Sequence, residues 1–103
     1  MAIYSSLIDS TALPISPSLA SSAAITVMMF CNLNTTTEYV DIHVVAAADS
    51  PSDTNKVVNQ LPIDPNDTFT FSTERLVLDS GDRIYASTTT PTQVSVTVSY
   101  VTI

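Results

Sequence analysis

The chain consists of short apolar runs separated by polar turns that recur about every ten residues. In several runs apolar and polar residues alternate, so that every second side chain is apolar. In the last run this places four apolar side chains on one face: Val94, Val96, Val98 and Tyr100. A period of two is the repeat of a β-strand that buries one face. The pattern therefore predicts strands for most of the chain.

The predicted strands, alternating or apolar throughout, are bounded by residues that favour turns. They are residues 2–8, 23–33, 39–47, 56–63, 68–72, 75–78, 83–88 and 94–103. No segment has the apolar spacing of three and four residues that an amphipathic helix needs. We therefore expect an all-β fold without a helix longer than about two turns. The spacing of the strands favours an antiparallel β-sandwich, jelly-roll-like, with about seven to eight strands.

The 103 residues suffice for one domain with a modest core. We assign residues 23–103 to the sandwich and residues 1–22 to an extended N-terminal arm, or to a first strand followed by a Ser/Pro-rich loop. An arm of this kind can add a strand to the sheet of a neighbouring subunit, and a disordered terminus is the alternative. Contacts with another chain are expected from the apolar residues of the arm: Ile3, Tyr4, Leu7 and Ile8.

Residues 23–33 are apolar almost throughout, which predicts a strand buried on both faces. The single cysteine of the chain, Cys31, lies in this run and cannot form an internal disulfide. We expect its thiol to be buried and unreactive, because a free cysteine usually packs as a small apolar side chain.

The charged residues are few and mostly acidic. They make up 13% of the chain, about half the usual share, and give a net charge of −7 with only three basic residues. So few cations cannot neutralise a phosphate backbone, so we expect no nucleic-acid partner and no binding to an anionic membrane. The N-terminus lacks the basic start of a secretory signal, and no apolar run approaches the ~20 residues of a membrane span. Synthesis and assembly in a cytoplasm are expected.

The most polar stretch, residues 71–87, raises the question of an active site. It holds Glu74, Arg75 and Arg83, and its Asp-Ser-Gly-Asp turn contains the only glycine of the chain, Gly81. Because the chain has a single glycine, its position in this turn indicates that the turn needs a positive φ angle. We interpret the stretch as a hairpin of two strands around this turn, with charged side chains that are solvated or paired across strands.

Other candidates for chemistry are weak. Two turns carry paired carboxylates at the same spacing, in residues 64–67 and 79–82, but nothing predicts a cleft between them. A zinc site would need more ligands than His43 and Cys31 supply. Nucleophilic catalysis would need a base beside the nucleophile, and these two residues do not provide that arrangement. We therefore predict a protein that is not an enzyme, with no catalytic, cofactor-binding or metal-binding residue; a loose calcium site between loops stays open.

Four segments of the chain carry a pattern of order and spacing: "ITVMMFCN" (25–32), "VDIHVV" (40–45), "DTFTFSTERLVLDSGDRIYAS" (67–87) and "VSVTVSYVTI" (94–103). The pattern resembles that of a group of small structural proteins of tailed bacteriophages, most closely those of cyanobacterial phages. In that group an apolar strand ends in Phe-Cys-Asn or a similar sequence. A Thr/Phe segment with acid-Lys/Arg-Leu-x-Leu follows, then a Gly-Asp pair and a closing Val-x-Val-x-Tyr strand. The resemblance covers about residues 23–103 and rests on order and spacing.

The resemblance implies a non-enzymatic role in the virion, as a protein that oligomerises and binds other particle proteins. It does not fix the position, which could be capsid decoration, neck, tail or fibre base. The alternative is a carbohydrate-binding module that contacts the host surface. Such modules stack sugars on exposed aromatic rings, so this alternative would need Tyr4, Tyr39 or Tyr85 together in one groove.

Overall fold

A computed structural model of the chain describes residues 2–17, 20–72 and 76–103. Within these ranges the protein contains strands, turns and loops but no helix, so no helix there is able to span a membrane. The strands are β1 (Ala2–Ile8), β2 (Leu13–Pro14), β3 (Ala23–Asn32), β4 (Glu38–Val45), β5 (Lys56–Ile63), β6 (Thr68–Phe71), β7 (Leu76–Leu78), β8 (Arg83–Thr88) and β9 (Val94–Thr102).

The strands form two antiparallel sheets. The first sheet has the order β1-β9-β3-β6, and β7 also pairs with β3. The second sheet has the order β2-β8-β4-β5. This confirms the all-β class and is consistent with the predicted sandwich, although the described residues contain nine strands. The short β2, which pairs with β8, lies in a segment that was expected to be a loop. The jelly-roll connectivity stays a prediction.

The core lies between the sheets, where the apolar faces of the alternating strands meet. β9 contributes a row of three valines, and the ring of Phe30 from β3 is fully buried beside them. The rings of Phe30 and Phe71 pack edge to face, with centroids 5.9 Å apart. The fully buried side chains of the second sheet include Val40, Ile84 and Ala86.

The outer face of β3 is not covered, so the expected burial of both faces is wrong. Met28 and Phe30 point into the core, whereas the side chain of Met29 between them is 41% exposed. Cys31 is half-buried on the same outer face as Met29. The prediction of a buried thiol is therefore also wrong. In this protein the apolar run 23–33 forms a strand whose outer face is apolar and exposed.

The first residues of the chain are part of the sandwich. β1 pairs along its whole length with β9, in register from Ala2 opposite Tyr100 to Ile8 opposite Val94. Ile8 and Ile15 are each only 2% exposed and belong to the core. Residues 2–8 thus form the first strand that was one of the two expectations for this segment.

The polar stretch 71–87 does not form a hairpin, because β7 belongs to the first sheet and β8 to the second. The turn between them carries the chain from one sheet to the other. It is closed by hydrogen bonds from the amide of Asp82 to the carbonyl of Asp79 (3.0 Å) and from the amide of Asp79 to the carboxylate of Asp82 (3.0 Å). Gly81 has a φ of +90°, which confirms the predicted positive φ. Glu74 and Arg75 lie outside the described residues.

Candidate assembly surface

The outer face of the first sheet carries no charged side chain within the described residues. Its side chains form rows across the strands, such as Ser5–Thr97–Met29–Thr70 and Leu7–Ser95–Cys31–Thr68. We call this surface the neutral face; strand alternation and register assign to it Ile3, Ser5, Leu7, Ala24, Thr26, Val27, Met29, Cys31, Thr68, Thr70, Val77, Ser95, Thr97, Ser99 and Val101.

Several hydroxyl groups of the neutral face bond to each other across strands. The hydroxyls of Ser5 and Thr97 are 3.4 Å apart. The hydroxyl of Thr26 donates to Ser99, whose hydroxyl and carbonyl oxygens both lie 3.0 Å away. A β-bulge between Ile25 and Val27 sets Thr26 at this position. Because these oxygens have partners within the sheet, covering them with another protein would leave few polar groups unsatisfied.

The edges of the two sheets differ in how they are protected against pairing with another chain. Natural edge strands are usually short, or carry Pro, Lys or a bulge. The edge strand β5 contains Lys56 and Pro62 and has two irregularities in its register with β4. β2 has two residues, one of them Pro14, while β6 and β7 have four and three.

β1 is an edge strand with none of these protections. Its seven residues, "AIYSSLI", contain no charge and no proline, and they pair with β9 without a bulge. Within the described residues β9 is its only strand partner. Its outward side chains include Ile3, which is 70% exposed, and Leu7, which is 54% exposed. An uncharged edge with exposed aliphatic side chains favours the addition of a strand.

The four residues expected to contact another chain are thus split between two environments. Ile3 and Leu7 are exposed on the neutral face, at the edge of the sheet. Tyr4 is half-buried on the inner side, and Ile8 lies in the core of its own chain. In this fold Ile8 is therefore not available to another chain, because the strand alternation that exposes Leu7 turns Ile8 inward.

A buried polar cluster at one end of the sandwich holds loops together. The side-chain Nδ2 of Asn32 donates to the carbonyls of Thr36 and Ile63, both at 2.9 Å. The buried carboxylate of Glu38 accepts hydrogen bonds from the side chain of Asn34 (3.0 Å) and the amide of Thr90 (2.9 Å). These hydrogen bonds give the side chains of Asn32 and Glu38 a structural role. Sequence analysis missed the cluster, because an Asn and a Glu at strand ends carry no pattern that reveals burial.

The aspartates of the turns at residues 64–67 and 79–82 also accept structural hydrogen bonds. The carboxylate of Asp82 accepts the amide of Ala47 at 3.0 Å, in addition to that of Asp79. The carboxylate of Asp79 accepts the hydroxyl of Ser22 at 2.9 Å, and that of Asp67 accepts the amide of Thr68 at 2.8 Å. Among the described residues no three His, Cys or acidic side chains come close enough to hold a metal ion.

The two residues considered for nucleophilic chemistry lie in different sheets. Cys31 is on the outer face of β3, while His43 is on β4 and is buried. The Nδ1 atom of His43 is buried and has no hydrogen-bond partner. The structure therefore does not bring a thiol and an imidazole together.

Arg83 donates from Nη2 to the carbonyl of Ser16 at 3.0 Å, which ties the loop after β2 to the start of β8.

An apolar cavity of about 300 Å³ lies between the two sheets on the side of β5. Its lining is aliphatic and aromatic: Met28, Ile42, Val44, Val57, Val58, Phe71 and Leu76. The described part of this lining has no polar side chain that could orient a substrate.

The three tyrosines of the carbohydrate alternative do not share a groove. Tyr4 belongs to the first sheet, at its edge. Tyr39 and Tyr85 belong to the second sheet, but Tyr85 pairs with His43, which is four positions along β4 from Tyr39. Stacking of one sugar ring on two of these side chains is therefore not provided by the fold.

Comparisons with protein-family models, curated proteins and solved structures find no significant match to this chain.

Proposed function

We propose that this chain is a non-enzymatic structural subunit of a phage particle that binds other particle proteins and copies of itself. The observation that carries the proposal is the neutral face. A protein with a net charge of −7 has the outer face of its larger sheet free of charge throughout the described residues. The centre of a protein interface is depleted of charged residues, whereas a surface that stays in water is usually rich in them.

The distribution of charge supports contact through this face. The acidic residues of the described ranges lie in turns and loops or on the second sheet: Asp9, Glu38, Asp41, Asp49, Asp53, Asp64, Asp67, Asp79 and Asp82. Two acidic subunits repel each other through such surfaces. The neutral face is therefore the side on which another subunit can approach with the least repulsion and the smallest desolvation cost.

The single cysteine provides a direct test of coverage. Cys31 lies in the neutral face and is half-buried, so a maleimide reagent should label the free chain. In particles purified from a phage lysate, mass spectrometry should find the chain in many copies, with Cys31 protected from the reagent. A chain that is absent from the purified particles would overturn the proposal. A chain that is present with a fully reactive Cys31 would remove the neutral face from the contact.

A matched pair of variants locates the contact. Met29→Glu places a carboxylate in the middle of the neutral face, where Met29 lies between Thr97 and Thr70. Asn59→Glu adds the same charge on the exposed surface of β5 in the second sheet. We expect Met29→Glu to lose incorporation into particles, because burial of an unpaired charge is costly, and Asn59→Glu to keep it. Equal incorporation of both variants, with equal melting temperatures, would contradict a contact through this face.

The carbohydrate-binding alternative has no specific observation in its favour. It would be supported if the free chain bound host-surface glycans on an array while being absent from particles. Replacement of the exposed Tyr39 by Ala would then be expected to weaken that binding. Without glycan binding, the alternative is refuted independently of the assembly proposal.

A further inference from the structure

We propose that β1 of one chain pairs antiparallel with β1 of a second copy, about a two-fold axis at Ser5, which joins the two first sheets into one. This inference rests on the proposed structural function and names one partner, a second copy. The starting observation is that β1 is a seven-residue edge strand without charge, proline or bulge, whereas the other edges of the described protein carry at least one protective feature.

The register follows from the positions of the exposed side chains. In an antiparallel two-fold pair centred on Ser5, Ile3 of each chain lies opposite Leu7 of the other. Directly opposite residues in an antiparallel pair point to the same side of the sheet, so these two exposed aliphatic side chains would cover each other. They are the most exposed side chains of β1 that could gain from this, at 70% and 54%.

A neighbouring register that keeps the same side chains on the outer face of the joined sheet is less favourable. A pair centred on Ser6 would set Ile3 opposite Asp9 of the second copy and Leu7 opposite Ser5. This places a carboxylate against an aliphatic side chain and leaves both aliphatic residues without an apolar partner. Of these two registers, the sequence of β1 favours the one centred on Ser5.

Charge explains why the partner can be a second copy. Each chain carries a net charge of −7, but neither β1 nor its neighbour β9 contains a charged residue. The pairing would therefore bring no like charges directly opposite each other. It would also place the two neutral faces side by side on the same surface, which doubles the uncharged area offered to another particle protein.

The size of the contact sets its strength. A stable interface usually buries about 800 Å² per partner with roughly 20–30 residues a side, whereas β1 supplies seven residues. We expect the pair to form weakly in dilute solution. It should become strong when two copies sit on the same particle protein, because tethering raises their effective concentration.

Cysteine cross-linking tests the register. In a Cys31→Ser background, Ser5→Cys places two thiols opposite each other, at a spacing that a disulfide accepts. Ile3→Cys is the matched control: its thiol and the same thiol of the second copy would be about 13 Å apart along the strands. With diamide, which accepts the two electrons and two protons of the thiols, Ser5→Cys should form dimers roughly tenfold faster than Ile3→Cys. Mixing Ile3→Cys with Leu7→Cys should restore cross-linking.

Equal rates for the two single variants, or no dimer from Ser5→Cys at high concentration, would overturn the pairing. Ser5→Lys gives a second, non-covalent measurement, because two lysines would face each other across the two-fold axis. In sedimentation velocity at a concentration high enough for the native chain to associate, we expect it to abolish self-association. Thr70→Lys, on the same face but at the far edge, should keep it. Far-UV circular dichroism checks that both variants are folded.

The failure of this inference is distinguishable from the failure of the proposed function. If Ser5→Lys is incorporated into particles like the native chain, and Ser5→Cys does not cross-link, the β1 pairing is wrong while the structural role stands. If Ser5→Cys cross-links in the predicted register but the chain is absent from particles, the pairing stands and the particle role is wrong.

Discussion

Substitution of Gly81 tests the strongest local constraint of the fold. Its φ is +90°, a conformation that residues with a Cβ atom rarely adopt. A Cβ atom at this position would also lie 2.8 Å from the Cβ of Ala47, closer than two carbon atoms can pack. Gly81→Ala therefore introduces two separate costs, backbone strain and a collision with the loop that follows β4.

The magnitude can be worked from these two terms. The backbone strain is about 1–2 kcal/mol, and the collision adds up to about 1 kcal/mol after the exposed Ala47 loop relaxes. The lower entropy of the unfolded alanine chain offsets about 0.4–1 kcal/mol. We expect a net loss of about 1–2 kcal/mol in the free energy of unfolding. In a domain of this size that lowers the melting temperature by about 5–15 °C.

The assay is thermal and urea unfolding followed by circular dichroism. A double-mutant cycle with Ala47→Gly separates the two terms, because this second change removes the colliding Cβ and leaves the strain at residue 81. We expect a coupling of about 0.5–1 kcal/mol between the two substitutions. Unchanged melting of Gly81→Ala would refute the reasoning, since neither the strain nor the collision would then exist in solution.

Three further predictions concern single sites. Thr92 follows Pro91 with a φ of +63°, which a β-branched residue resists, so Thr92→Asn should raise the free energy of unfolding by about 1 kcal/mol; a lower melting temperature would contradict this. The thiol of Cys31 should react readily with a maleimide in the free chain, and Cys31→Ser should change stability by less than about 1 kcal/mol, whereas slow labelling would show a covered face. Glu38→Ala should lower the free energy of unfolding in urea by about 2–3 kcal/mol, because the donor groups of Asn34 and Thr90 lose their acceptor in a buried site. A decrease under about 0.5 kcal/mol would mean that water replaces the carboxylate.

The strands could be predicted from the sequence because a period of two is a local property. β1, β5 and β8 begin and end at the bounds that the apolar runs and the flanking turns predict, at residues 2–8, 56–63 and 83–88. The positive φ of Gly81 was equally accessible, since a sole glycine in a polar turn has a local conformational reason.

The pairing of strands could not be predicted in the same way. A tight turn allows the next strand to pair with the previous one or to cross to the opposite sheet, and the residues of 79–82 fit either outcome. The hairpin interpretation failed at this point because the apolar faces of β7 and β8 are both satisfied by the sandwich core. β2 was missed because Pro14 is tolerated only at an edge, and an edge position is a tertiary property.

The candidate surface was only half visible in the sequence. Ile3 and Leu7 were expected to make contacts, but the residues that β3 contributes to the neutral face, such as Met29 and Cys31, were expected to be buried. The run around Met29 is apolar at both faces, and composition alone cannot tell an apolar face under a second sheet from one that is open. Only the register of β9 against β1 and β3 shows that the open residues form one continuous surface.

The position of β9 has a consequence for how the chain folds during synthesis. β9 is made after the other eight strands of the described residues, yet it lies between β1 and β3 and pairs with both. The ribosome must therefore release residues 94–102 before the first sheet can close. Until then β1 lacks its strand partner, whereas β3 can already pair with β6 and β7. Pairing of β1 with β9, from Ile8 with Val94 to Ala2 with Tyr100, joins distant parts of the sequence and is intrinsically slow. While β9 is missing, both β1 and the long side of β3 are open edges, and this is the interval in which a nascent chain is most exposed to aggregation or chaperone binding.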